Sequence, residues 1–327
     1  MNKIFSIPLP NFLSEKELFK FVIYLKKYKS LIYDIYYSFP VKPFEEDAFG
    51  MLKNNKITSD SIKYIKNETD LKMNLIFNNT QILSTIKNYD IFKTEIEKLN
   101  NLKFDSITIP FISWMKFTDI KKSFPNLKIK NTVLNRIKTP QEFYEIALCN
   151  YDYIVLDSTL VRNKDYLSEI KNIRDNYFKN IKLIIIMNED CYGNCILKNE
   201  HRLLTIHRMN KESFFERICE VYCDIANNKN SSILKKASIY PIKTEIDYFL
   251  NYVDIIKLTG RYHLKIFKES LEIIKNYSNN KTLLLNVLFD NSKIFIDWLT
   301  FIKNCKFECY NCNYCEKIIK EVFNEKS

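Results

Sequence analysis

The chain has 327 residues, 46% hydrophobic and 14% aromatic, which is ample for one large barrel or two ordinary domains and too apolar for extended disorder. Its net charge of +11 suits RNA or an anionic ligand, but no basic block, arginine–glycine repeat or basic strip interleaved with aromatics stands out, and abundant lysine, asparagine and isoleucine make genomic base bias a competing cause. No apolar run approaches the roughly 20 residues of a membrane span, and Pro8, Pro10, Glu15 and Lys16 interrupt the N-terminal run before a signal-peptide core forms, so a soluble cytoplasmic protein is expected.

From the N-terminus, β-branched and aromatic runs predict eight strands, over 3–7, 31–37, 72–77, 106–109, 127–130, 153–156, 182–187 and 254–258. Amphipathic patterns predict helices over 14–28, 81–98, 114–124, 140–148, 163–178, 211–226 and 262–277. Ser14 with Glu17, and Thr139 with Glu142 behind Pro140, read as capping boxes at two helix starts. The alternation predicts an α/β fold, a (β/α)8 TIM-like barrel over residues 1–278. Residues 279–327, with an apolar helix over 294–302 and a cysteine-rich tail, exceed what eight units need and read as a C-terminal helical cap.

Six of the nine cysteines fall in two clusters, Cys191 with Cys195, and Cys305, Cys309, Cys312 and Cys315. In a reducing cytosol, thiols at such spacing read as metal ligands before disulfides. An iron–sulfur cluster, of the 4Fe-4S type, is the leading reading, and zinc is the alternative for the tail. The tail thiols can close a zinc site, hold their own cluster, or complete one with Cys191 and Cys195. Cys305, Cys309 and Cys312 also match the radical S-adenosylmethionine spacing, but at the wrong end of a barrel. Cys149, Cys219 and Cys223 fall among apolar neighbours in predicted helices and read as small buried hydrophobes. Two of only three glycines, Gly193 and Gly260, sit in the two most unusual segments, and Gly193 is expected to let the backbone pass close to inorganic sulfide.

In such a barrel, ligands gather at the C-terminal ends of the strands. The residues there are Asn78 and Asn79, Pro110, Asn131 and Thr132, Asp157 and Ser158, Asn188, Glu189 and Cys191, and Thr259, Gly260 and Arg261. Asp157 and Glu189 are the acid/base candidates, while Lys257 and Arg261 are placed to clamp a carboxylate or phosphate. Asn78, Asn188 and His201 complete the candidate substrate-binding set; His207 and His263 carry less signal. No Ser/His/Asp arrangement, zinc-binding His-Glu-x-x-His helix or phosphate-binding glycine loop is present in the sequence.

Residues 124–129 and 152–157, then Arg162 and Asn163, the Asn188-Glu189-Asp190-Cys191 run through Cys195, His201, and Lys257-Leu258-Thr259-Gly260-Arg261 together resemble, in that order, the collagenase-like peptidase family. This is the thirty-second family among peptidases of unassigned type, and the likeness runs from about Phe104 to Tyr277. The resemblance implies a barrel with a four-iron cluster and a part in oxygen-independent hydroxylation of ubiquinone precursors or RNA bases. By match, Cys191 and Cys195 correspond to two of the family's four cluster ligands. The chain departs from the pattern in having no cysteine shortly before Cys191 and none in its N-terminal third, and in lacking glycines around 150–152. The tail cysteines are the candidate substitutes.

The expected function is therefore iron–sulfur-dependent modification of a small metabolite or RNA base, served by an electron donor or partner subunit and involving no membrane. The alternatives are a non-catalytic, metal-stabilised accessory or RNA-binding protein, and a peptidase.

Overall fold

The computed structural model describes residues 3–44, 56–79, 82–189, Cys191, Gly193, Cys195, 197–198, 234–261, 263–280 and 292–324. Eight parallel strands close in chain order into one barrel: β1 (Phe5–Pro8), β2 (Ile32–Tyr37), β3 (Lys72–Ile76), β4 (Ser106–Ile109), β5 (Lys128–Asn131), β6 (Tyr153–Val155), β7 (Lys182–Ile186) and β8 (Ile255–Lys257), which pairs back onto β1. Each falls within or within a residue of its predicted run. Nearly all strand residues are buried because both faces are covered, the outer one by helices.

Around the barrel lie α1 (Glu15–Lys27), α2 (Ser59–Thr69), α3 (Ile86–Lys98), α4 (Ile112–Phe117), α5 (Ile120–Ser123), α6 (Pro140–Ala147), α7 (Lys164–Tyr177), α8 (Lys243–Leu250) and α9 (Leu264–Ser278). Both capping boxes form: the Ser14 and Glu17 side chains, like those of Thr139 and Glu142, each accept a bond from the other residue's backbone N–H. The single helix predicted over 114–124 is two, because Thr118 turns to extended geometry and its hydroxyl bonds back to the Trp114 carbonyl at 2.5 Å. Helices α2 and α8 do not stand out in the sequence pattern; α2 turns little more than Ile62 and Ile65 to the core, too thin a stripe to register as periodic. The helix predicted over 211–226 lies outside the described residues, as do His201, His207, Cys219 and Cys223.

The cap carries α10 (Ser292–Ile302) and α11 (Tyr314–Asn324). Trp298, Leu299, Ile302 and Ile318 from these helices form a small core with Leu234, Tyr240 and Ile242, separate from the main one. No helix among the described residues is long and apolar enough to cross a membrane.

The barrel interior is unusual in its chemistry. One sector, at the base, is filled by Tyr33, Tyr153, Val155, Ile184 and Ile255, with the two tyrosine hydroxyls 2.8 Å apart. The other is polar. Lys130 of β5 reaches across to Asp34 of β2, whose other oxygen accepts from Ser6 at 2.5 Å. Asn74 accepts from Ser106 at 3.0 Å and donates to Thr108 at 3.1 Å. The Asp34–Lys130 pair is almost fully buried, and burying a charge pair is tolerable only when further bonds of this kind accompany it.

Candidate active site and metal centre

The predicted site residues divide between the barrel mouth and the cap. Arg261, just past β8, donates through Nη1 to Ser38 and lies 5.7 Å from the Tyr36 ring centroid. Lys257, at the end of β8, places its Nζ 4.2 Å from the same ring. The Tyr36 hydroxyl donates to the Leu258 carbonyl at 2.5 Å, which holds the ring beside both cations. Crowding by protein, then the nearby Arg261 and Lys130 charges, pulls the Lys257 ammonium down to about 7 against a weaker opposing pull from Asp34. Gly260 lies between them with φ +124°, and a Cβ there would stand 2.7 Å from the Phe267 backbone, so α9 can approach only because this residue is glycine.

Asp157 is wholly enclosed. Its Oδ1 accepts from the Thr159 backbone at 3.0 Å and hydroxyl at 2.8 Å, capping the turn Ser158–Arg162, and its Oδ2 faces Arg136 Nε at 3.5 Å. Glu189 accepts from Ser158 and pairs with Lys198 at 3.2 Å; Lys198 also donates to Ser158 at 3.3 Å. Lys198, missed in the sequence, is almost fully buried. Its only sequence signal is its place three residues after Cys195, whose carbonyl accepts its backbone N–H at 3.2 Å. Asn188 is a brace: Oδ1 accepts from Thr259 at 2.8 Å and Nδ2 donates to Ser270 at 3.1 Å. Asn78 is buried just beyond β3. His201 falls outside the described residues.

The charges at and near the mouth are unequal. Lys130, Arg136, Lys138, Lys198, Lys257 and Arg261 stand against Asp34, Asp157 and Glu189. Burial, ahead of the opposing charge effects, lowers the Lys138 ammonium as well. Such a field attracts anions.

In the cap, Cys305, Cys309, Cys312 and Cys315 line one cleft together with Arg162, Lys235 and Phe307. Arg162 joins this cleft to the barrel. It is 1% exposed, donates to the Leu234 and Lys236 carbonyls at 2.6 and 2.9 Å, and places Nη1 3.7 Å from the Cys305 sulfur. Its guanidinium lies 5.0 Å from the Phe307 ring centroid and 5.6 Å from that of Trp298. Lys235 pairs with Glu316 at the cleft's edge.

The described cysteines are free thiols. Burial pushes the Cys309 and Cys315 thiols up, and Cys305 beside each adds to this; Lys235 opposes it at Cys309, and Trp298 and Arg162 oppose it at Cys315. A bound metal would reverse that balance, since thiolate is the ligating form. Among the described residues, no three His, Cys, Asp or Glu side chains are gathered closely enough to hold a single metal ion. Four thiols border one cleft, with Arg162, Lys235, Glu308 and Glu316 also lining it, a donor set whose chemistry suits a thiolate-held centre.

Cys191 and Cys195 do not line this cleft. Gly193, between them in sequence, meets the tail: a Cβ there would come within 2.2 Å of the Phe307 ring. The approach of an aromatic ring is thus one demand on this glycine.

These features define a closed (β/α)8 barrel with a cationic mouth and a thiol-lined cap. No protein-family model matches the chain, and no curated protein matches it. Among solved structures, it is similar to the U32 peptidase Mk0906 (14% identity over 80% of this chain and 94% of that one, TM-score 0.48). It is also similar to δ-aminolevulinic acid dehydratase from Toxoplasma gondii ME49 (10% identity, 82% and 84% covered, TM-score 0.42) and to the AsfvAP:AG structure (7%, 86% and 99%, 0.48). At these similarities the barrel rests on its own closed strand order.

Proposed function

We propose that this protein is an enzyme whose reaction takes place at the strand C-terminal mouth and which carries an iron–sulfur centre in its cap. The observation that carries the reading is the convergence of four thiols on one cleft that Arg162 ties directly to the barrel. Cys305, Cys309, Cys312 and Cys315 would hold the group, which when bound supplies electron transfer or Lewis acidity. The chain's own part is binding and proton movement. Lys257 and Arg261 orient an anionic substrate, and Glu189, which keeps some exposure beside Ser158 and Lys198, moves a proton. Asp157 positions the Ser158–Arg162 turn. Oxygen-independent hydroxylation of a small metabolite or RNA base is the reaction class that the collagenase-like peptidase resemblance adds, and a reducing cytoplasm is the setting it needs.

The test is anaerobic expression with iron and sulfide supplied, followed by metal analysis and product screening. Iron with sulfide, and turnover lost in Glu189→Gln and Arg261→Ala, is expected. Zinc alone under those conditions would favour the rival reading of a structural metal in an accessory protein, and cleavage of gelatin-like peptides by the pure protein would favour a peptidase.

A further inference from the structure

Lys257 offers chemistry that the cysteine centre does not require. It is the last residue of β8, with Ser6 of β1 and Ile186 of β7 as its register partners. Alternation along β8 sends Ile256 and Leu258 into the outer core and turns Lys257 inward, toward the sector that holds Asp34, Tyr36 and Lys130. Its amine stands 4.2 Å from the Tyr36 ring centroid, and Arg261 lies on the same ring. Asp34, on β2 beyond the neighbouring β1, is already engaged by Lys130 and Ser6, and among the described residues no carboxylate forms an ion pair with Lys257. The residue is only partly buried, at the strand end that forms the mouth.

A lysine beside other cations, lacking a carboxylate partner and partly removed from water, is an activated nucleophile. We infer that Lys257 is a covalent-binding lysine, whose amine condenses with the aldehyde or ketone group of a substrate that also carries a carboxylate or phosphate held by Arg261. The Lys257 nitrogen lone pair adds to the carbonyl carbon, forming a C–N bond as the C=O π pair moves to oxygen. Proton transfer from nitrogen to oxygen and loss of water then leave a C=N bond. One water is released and no oxidant or reductant is consumed. The substrate's anionic group offsets the cationic crowding, and the planar guanidinium fork of Arg261 matches it. The groups facing the amine are Asp34 and Tyr36 from β2, Lys130 from β5, and Arg261 past β8. Burial, then the Arg261 and Lys130 charges, pulls the amine down to about 7 against Asp34, well below an ordinary lysine, which enlarges its neutral, nucleophilic fraction.

The experiment is reductive trapping on the full-length protein at pH 7. Pyruvate serves as the carboxylate probe, glyceraldehyde 3-phosphate as the phosphate probe and propanal as the uncharged control, each reduced with borohydride and mapped by peptide mass spectrometry. One anionic probe should label Lys257 at least about tenfold above any other lysine, because the amine faces Arg261 and is held below the ordinary lysine range. That label should be absent from Lys257→Met. Equal labelling by propanal would overturn the role given to Arg261, and adducts spread over surface lysines with Lys257 unmodified would overturn the site. The labelled position is read on the wild-type chain, so the site is decided even where the Lys257→Met variant fails to fold. Trapping should proceed equally in iron-free protein, which separates this inference from the fate of the cluster.

Discussion

Replacing Arg162 with leucine tests whether the cap and barrel are joined as described. The guanidinium makes two bonds to carbonyls, the buried one of Leu234 and the partly buried one of Lys236, and lies near the Trp298 and Phe307 rings. A hydrogen bond from a charged donor contributes about 1.5–3 kcal/mol, so two lost bonds come to about 3–6 kcal/mol. Relief of the buried charge offsets part of this, leaving about 2–4 kcal/mol. The chain has two tryptophans, Trp114 in the barrel wall and Trp298 in the cap, so each region can be followed by fluorescence with the other tryptophan changed to phenylalanine. With an m-value of about 2 kcal/mol/M, Arg162→Leu should move the Trp298 transition down by about 1–2 M urea and the Trp114 transition by much less. A shift at Trp298 equivalent to less than about 0.5 kcal/mol would refute the role of Arg162 as the link.

Three further outcomes are expected. Lys257 titrates lower when folded than unfolded, so between about pH 7 and 10 the unfolded chain binds more protons and stability rises with pH; Lys257→Met should flatten that rise in thermal melts, and an unchanged slope would count against the burial of the amine. Gly260→Ala places a Cβ against the Phe267 backbone at positive φ and should cost roughly 2–4 kcal/mol, whereas Gly193→Ala meets a side chain, the Phe307 ring, and no backbone, and should cost less; equal costs in denaturant titration would contradict the packing described. Asp34→Asn strands Lys130 inside the barrel and should lower stability by about 3–5 kcal/mol, while Asp34→Leu with Lys130→Met should recover most of it; a double variant as unstable as the single one would show that the pair itself is required.

The strands are legible because β-branched and aromatic runs of that length, buried on both faces, have few other readings, and the capping boxes at Ser14 and Thr139 mark helix starts locally. The thin apolar stripe of α2 is not legible, nor is the break at Thr118, which depends on a hydroxyl turning back to Trp114. Within the site, the rarity of glycine flags Gly260 and Gly193, but the partner of Gly193 is a ring in the distant tail. Lys130 looks like any strand lysine, since its partner Asp34 is 96 residues away and the closure of the barrel brings them together. Arg162 and Lys198 acquire their importance in the same way, from carbonyls and carboxylates that only the folded chain assembles.

A thiolate-held iron–sulfur centre in the cap is tested most directly by anaerobic purification of the intact chain and two variants. One variant carries serine at Cys305, Cys309, Cys312 and Cys315, the other serine at Cys191 and Cys195, with iron, zinc, sulfide and the visible spectrum recorded for each. Brown intact protein and a colourless but folded tail variant are predicted, with the centre retained in the Cys191 and Cys195 variant because those two residues do not line the cleft. Iron and sulfide that survive loss of all four tail thiols would contradict a centre in the cap.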